Sequence, residues 1–370
     1  MIDFGLDEEQ RLLVDTVHEF ARSEIRPRLR ESERAGEVSA ELRARFDALG
    51  LAMLDVPEAL GGMGQSQVTA ALVHEELAWG DAGLAVTLFR SQPFCSALLE
   101  LGDAAQQARH LREPVAGAVA LSGGPRARRV PGGYRLEGRA RWVLGSAPAV
   151  VLADLEGEGA VAFVVTDARV GPRHDTLGLG AARIGELDID GCFVAQADRL
   201  PGAGDLRLAM RRLFARYALI NAARQVGLGR AAYEHALEYA ERRHAFGKPV
   251  AHFQAMAFLL ADVHMEVESA RGLLWRAAAA WDRGAPDAIR LVSEAAVHAG
   301  EAADRAADAG VQILGGAGYL RDHPVEKWLR DTRTLALLGG SAEQHLMTIA
   351  AALTGDETLD QNGPIQPVIT

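Results

Sequence analysis

Lysine is nearly missing from this chain, where Lys248 and Lys327 stand alone among arginines. Cysteine is equally scarce, and Cys95 and Cys192 lie too far apart in sequence to suggest a disulfide framework. They read as packed thiols in a reducing compartment. No apolar run approaches the roughly 20 residues that cross a bilayer. The opening MIDFGLDEEQ places acids where a signal peptide needs positive charge, so a cytoplasmic location is expected. A net charge of −11 disfavours nucleic acid and anionic membrane as partners. Catalytic spellings are also lacking. Eleven histidines are scattered without H-E-x-x-H, and His74 is followed by Glu75 and Glu76 but by no second histidine, so no metal is expected. No G-x-S-x-G is present either.

What is present is 370 residues, 49% hydrophobic, enough for two or three modules around a large core. Asp7 and Gln10 have capping-box spacing before LLVDTVHEFA, and Ser39 is a second N-cap with Gly50 as a stop. Amphipathic stretches continue to about Arg112. From Pro114 to about Pro201 short β-branched segments, AGAVAL through IGELDIDGCFVA, alternate with Gly and Pro turns and predict a small β-domain. Helical periodicity then returns. One long helix starts at Leu206, and a second spans about Ala251 to Arg283. A third has Pro286 in its first turn and stops before Gly310, and a last covers Ala342 to Thr354. The expected fold class is α+β: an N-terminal all-α domain (1–113), a middle β-domain (114–205), a C-terminal four-helix bundle (206–355) and a loose tail (356–370).

The spelling GLGRAA, Gly227 to Ala232, matches a dinucleotide fingerprint, but it lies within a helical pattern. Its small residues therefore predict close helix approach and no phosphate loop. Two other clusters stand out. ERRHAFGKPVAHFQ, Glu241 to Gln254, gathers arginines, an aromatic and an amide where one long helix gives way to the next, a placement suited to gripping a pyrophosphate. GVQILGGAGYLRDHPVEKWLRDTR, Gly310 to Arg333, contains Gly315 and Gly316, where a ligand can approach bare backbone.

Together with F-x-L-D-E-E-Q-R-x-L, L-D-V-P-E-x-L-G-G-M-G and H-E-E-L-A-W-G-D-A-G, these clusters resemble the acyl-CoA dehydrogenase family of flavoproteins over nearly the whole chain. The resemblance implies N-terminal helices, a middle β-domain and a helical bundle. It also implies FAD, an acyl-CoA substrate, α,β-dehydrogenation in lipid metabolism, and an electron-transfer flavoprotein as acceptor. In that chemistry a carboxylate removes the α-proton while the β-hydrogen leaves as hydride. Subunits of this kind assemble as dimers or tetramers, each flavin gripped by two chains.

Carried over residue by residue, the family's pattern splits. The set lent to a neighbouring subunit's flavin is largely present: Arg243 for the pyrophosphate, Phe246 at the flavin-ribityl end, Gln312, Gly315 and Gly316 on the adenine side, and Gln254 nearby. Only the small hydroxyl residue is altered, to Ala245. The set serving the chain's own flavin is eroded. The usual Y-E-G-T-S-E-I-Q reads Leu338 to His345, so the base position is Gly339, and the alternative base position on a bundle helix is Tyr217. F-D-x-x-R reads Phe214 to Ala218, and W-I-T reads Trp142, Val143, Leu144. Trp142, Ser122 and Ser341 remain as own-site contacts, and Arg90 is placed near the mouth of the acyl tunnel, facing an anionic tail. Three readings follow from this pattern. One is a base-lacking subunit completing FAD sites with a paralogue, and another is a self-sufficient homo-oligomer with a relocated base. The third is a flavoenzyme of this fold with different chemistry.

Overall fold

Asp7 accepts from the Gln10 backbone while the Gln10 side chain returns to the Asp7 backbone, and this capping box starts the first helix. The computed structural model describes residues 5–121 and 124–360. Seven helices precede the sheet: α1 (Glu8–Phe20), α2 (Leu29–Ala35), α3 (Ala40–Asp47), α4 (Gln67–Gly80), α5 (Ala82–Leu88), α6 (Gln92–Leu101) and α7 (Ala104–His110). Ser39 caps α3 as expected, accepting from the Leu42 amide. The helix ends at Asp47, short of Gly50.

Ten strands follow: β1 (Ala118–Ala120), β2 (Arg126–Val130), β3 (Gly133–Glu137), β4 (Arg139–Leu144), β5 (Ala149–Leu155), β6 (Gly159–Val165), β7 (Arg169–Arg173), β8 (Ile184–Asp188), β9 (Phe193–Ala195) and β10 (Arg199–Leu200). One sheet runs β10-β6-β5-β2-β3-β9 with β1 beside β5, and a second runs β4-β8-β7. β5 is apolar along nearly its whole length because both its faces are covered. Val151 and Ala153 pack with Tyr134, Leu136, Phe163 and Leu187, whereas Val150 and Leu152 pack with Phe94, Leu98, Met210 and Leu213. The second set fastens the sheet to α6 and to the long helix that comes next.

That helix, α8 (Leu206–Arg242), has 37 residues and is about 55 Å long. A short hairpin, β11 (His244–Ala245) and β12 (Lys248–Pro249), leads to α9 (Gln254–Asp282), α10 (Ala288–Leu314), α11 (Val325–Leu335) and α12 (Ala342–Thr354). The GLGRAA stretch lies inside α8 and serves close packing: a Cβ on Gly227 would fall 2.1 Å from the Glu75 carbonyl oxygen, and one on Gly229 3.2 Å from Ala303 Cα.

Three helix expectations need correction. The third bundle helix runs through Gly310 to Leu314, because that glycine lies buried against Val325 and the Ala232 carbonyl and is not a stop. Pro286 precedes that helix, which begins at Ala288. The second begins at Gln254, since Val250–His252 forms a 3₁₀ turn after Pro249. The charged segment VEKWLRDTRTL forms helix α11. Its Lys327 is fully buried, donating to Asp331 at 2.6 Å and to Asp81. Burial opposes the ammonium charge, but Asp331 and Asp81 outweigh it and hold its pKa above the ordinary range. Asp81 also caps α5, and Asp331 accepts from the Leu179 amide at 2.6 Å. One cation thus ties α5, α11 and the loop before β8 together.

His235 of α8 contacts His323 at 3.1 Å and packs edge-on to Trp328. Burial, then His323 and Arg26, push its imidazole down to about 4. The unfolded chain, titrating near 6.5, takes up this proton first as pH falls. Stability should therefore decline from about pH 6.5 to about pH 4 and gain no further slope from this group below that. Urea melts of His235→Gln should show a shallower decline across that window.

Candidate functional site

Gly339 sits in the loop between α11 and α12 at φ +85°, against the backbone of α8. A Cβ there would lie 3.1 Å from the Ala218 amide nitrogen and 3.2 Å from the Tyr217 carbonyl carbon. Asn221 holds this loop down, its amide donating to the carbonyls of Leu335 and Leu338 at 2.8 and 2.7 Å. The position that the sequence resemblance assigns to the base therefore carries no carboxylate, and a side chain there would sit in left-handed backbone and crowd α8. Gly339→Glu is expected to lower the melting temperature and leave turnover unrestored. Left-handed backbone alone costs a non-glycine residue about 1–2 kcal/mol, before the contact with α8. A stable, faster Gly339→Glu protein would refute this account of the loop.

Tyr217 donates its hydroxyl to the Pro93 carbonyl at 2.6 Å, and burial holds its pKa well above the ordinary range. It is a protonated strut and no base. The acids of α4 are committed as well. Glu75 Oε1 accepts from Arg230 and Arg271 at 2.8 Å each, and Glu76 is held by Arg230 and by His18 at 2.7 Å. Burial alone would raise the pKa of Glu76, but Arg230 and His18 bring it below the usual carboxylate range.

Trp142 lies at φ +57° in the irregular pairing of β4 with β8, its ring stacked on His174 at 5.7 Å. Its Nε1 is buried without a protein acceptor. Trp142, Leu144 and Leu338 all pack on the same core cluster. The Ser341 hydroxyl caps α12, accepting from the Gln344 amide at 3.3 Å. Ser122 lies outside the described residues. Arg90, expected at a tunnel mouth, is tied at the surface to Asp47 at 3.2 Å with 42% of its side chain exposed.

The other set gathers at one end of the bundle. Gly300 faces Gln225 and Gly229 faces Ala303, so α8 and α10 run in the same direction, with α9 returning between their ends. The end of α8, the start of α9 and the end of α10 thus meet. Arg243 and Gln254 are exposed there, as are Gln312, Gly315 and Gly316. Among the described residues Arg243 has no acid partner. A Cβ on Gly315 or Gly316 would meet nothing within 4 Å. Phe246 is 97% exposed. It and Gly247 are the two central residues of the hairpin, at φ +49° and +84°, the pattern of a type I′ turn. A phenylalanine in left-handed backbone, held out into solvent, is strained and points to function.

Family profiles described as "Acyl-CoA dehydrogenase, N-terminal domain" and "Acyl-CoA dehydrogenase, C-terminal domain" match residues 7–118 and 206–354. The human mitochondrial short-chain specific acyl-CoA dehydrogenase is 30% identical, the match covering 94% of this chain and 90% of that one. An acyl-CoA dehydrogenase of Bacillus subtilis is 31% identical, with 94% and 98% covered. The chain belongs to the acyl-CoA dehydrogenase family. Its fold superposes on butyryl-CoA dehydrogenase from Megasphaera elsdenii with a TM-score of 0.89, 27% identity, and 95% and 100% of the chains covered. A chain of the Acidaminococcus fermentans electron transferring flavoprotein structure aligns at TM-score 0.89 and 26% identity over 96% and 100%.

Two buried polar residues of α8 were not singled out from the sequence. Asn221, which ties down the loop carrying Gly339, and Arg224, buried one turn later, are polar residues in an otherwise apolar stretch of α8. Their presence in LINAARQV was the available signal, read then only as helix.

Proposed function

We propose that this chain is a subunit of an FAD-dependent acyl-CoA oxidoreductase in which a paralogous partner supplies the catalytic carboxylate and this chain completes the flavin grip. The observation that carries this reading is Gly339, with no side chain and with its Cβ space occupied by the α8 backbone. The donor set at the bundle end supports it: a guanidinium without an acid, bare glycine backbone and an exposed aromatic suit a pyrophosphate and the adjoining ribityl and flavin.

Bound FAD would supply the hydride-accepting redox chemistry for oxidation at the β-carbon, with an electron-transfer flavoprotein as the next acceptor. This chain's own residues have simpler tasks. Arg243 would neutralise the diphosphate, Gln312 and the Gly315–Gly316 backbone would border it with Gln254 nearby, and Phe246 would cover the flavin-ribityl end. On the other side, Trp142 offers its free indole N–H. The acyl-CoA substrate class follows the named activities of the human and Megasphaera relatives. The test is reconstitution. Mixing this chain with a base-bearing acyl-CoA dehydrogenase paralogue should give a flavin-loaded mixed oligomer that dehydrogenates acyl-CoA. Rapid dye-linked turnover by this chain alone would refute the proposal.

A further inference from the structure

Along α8 from the loop glycine, a cation is buried with nothing to neutralise it. Arg224 is 8% exposed, its Nη2 donates to Gln92 Oε1 at 3.1 Å, and its Nε is buried without an acceptor. Among the described residues no carboxylate pairs with it. Asp55 and Glu100 are committed to Arg216 at 2.8 and 3.1 Å, and Glu75 and Glu76 are held by Arg230. With nothing to oppose it, burial pushes the guanidinium down to about 9.

The hydrogen bonds fix the neighbouring groups. Because Arg224 only donates, Gln92 must present its oxygen to it, and the Gln92 amide then donates to His74 Nε2 at 3.1 Å. His74 therefore carries its proton on Nδ1, and that atom is also buried without a partner. Burial, then Arg224, hold the ring neutral. The cluster thus contains two unsatisfied buried donors, one charged, and no acceptor to spare. A fold keeps such an arrangement at a cost in stability, and an anion is the species that removes the cost.

Position assigns the anion. Gly339 packs over Tyr217 and Ala218, and Arg224 lies six residues beyond Ala218, about 9 Å along the helix axis. Tyr217 meets the Pro93 carbonyl and Arg224 meets Gln92, so both form successive links between α8 and the first turn of α6. The Phe89 ring lies 4.1 Å from His74 and belongs to the apolar cluster against which Trp142 and Leu338 pack. We propose that Arg224, with Gln92 and His74, is a subsite for a carboxylate at the far end of the acyl chain, selecting ω-carboxyacyl-CoA over plain acyl-CoA. Guanidinium geometry suits a carboxylate and would hold it by paired hydrogen bonds. This rests on the acyl-CoA reading above.

The test is calorimetric binding of adipoyl-CoA and hexanoyl-CoA to the flavin-loaded full chain, without and with added chloride, together with thermal melts of the unliganded protein. Adipoyl-CoA should bind about 10-fold to 100-fold more tightly, the range for hydrogen bonds to a charged group. Arg224→Met should erase that preference and, relieved of an uncompensated charge, should melt higher than the parent. Equal binding of the two thioesters by the parent protein, or a preference that survives in Arg224→Met, would overturn the proposal, as would an Arg224→Met that melts lower with discrimination intact. Chloride raising the parent's melting temperature without any adipoyl preference would mark an inorganic-anion hole and would equally overturn it. The parent comparison decides the matter even if the variant fails to fold, and Arg224→Gln gives a second variant. If neither thioester binds, this chain's own pocket takes no acyl-CoA and the subsite fails, while reconstitution with a partner still tests the acyl-CoA reading separately; if both bind alike, the subsite fails as well.

Discussion

On the proposed reading, the purified chain assayed alone with acyl-CoA and an electron-accepting dye should turn over about 10²-fold to 10⁴-fold more slowly than the same chain mixed with a base-bearing paralogue, the usual cost of losing a positioned general base. Three observations combine in that expectation. Gly339 offers no proton acceptor, Tyr217 spends its hydroxyl on Pro93, and Glu75 and Glu76 are engaged by arginines. A control in the mixed oligomer separates the two halves of the argument. Arg243→Gln in this chain should weaken FAD retention by about 10-fold to 100-fold, since charge-assisted hydrogen bonds contribute roughly 1.5–3 kcal/mol each. The partner's base would be untouched. Flavin absorbance after gel filtration reads the loss, and unchanged retention would remove this chain from the cofactor's grip.

Lys327→Met should cost about 3–5 kcal/mol of stability, the range for removing one member of a buried ion cluster. Two carboxylates, Asp81 and Asp331, would remain buried and facing each other without a cation, and burial with each other's charge already works against the ionised Asp331. The cluster joins the α5 N-cap, α11 and the Leu179 amide, so loosening it should loosen the wall beside the loop that carries Gly339. Denaturant unfolding measures the change. A loss below about 1 kcal/mol, typical of an exposed pair, would show that water reaches the cluster. Lys327→Met with Asp331→Leu should recover part of the loss.

The overall plan was legible because periodicity reports burial: period two in the middle block, a helical period before and after it. The failures share a cause. Gly310 looked like a stop because a glycine's sequence context does not say whether a neighbouring helix needs its missing Cβ. The burial of Lys327 could not be read from PVEKWLRDTR because Asp81, the distant partner that lets it enter the core, is invisible from the segment itself. Arg224 was hidden for the converse reason, since an arginine in a helix reads as solvent-facing. The glycine at 339 could be read directly; its packing against α8 could not.

The hairpin after α8 has a consequence for how such proteins behave in dilute solution. Phe246 stands on a turn whose backbone is already set, so docking it against another chain freezes few additional torsions. A cofactor clasped by two polypeptides is then subject to mass action twice, once for the nucleotide and once for the companion chain. Diluting the assembly should bleach it even when free FAD is held constant.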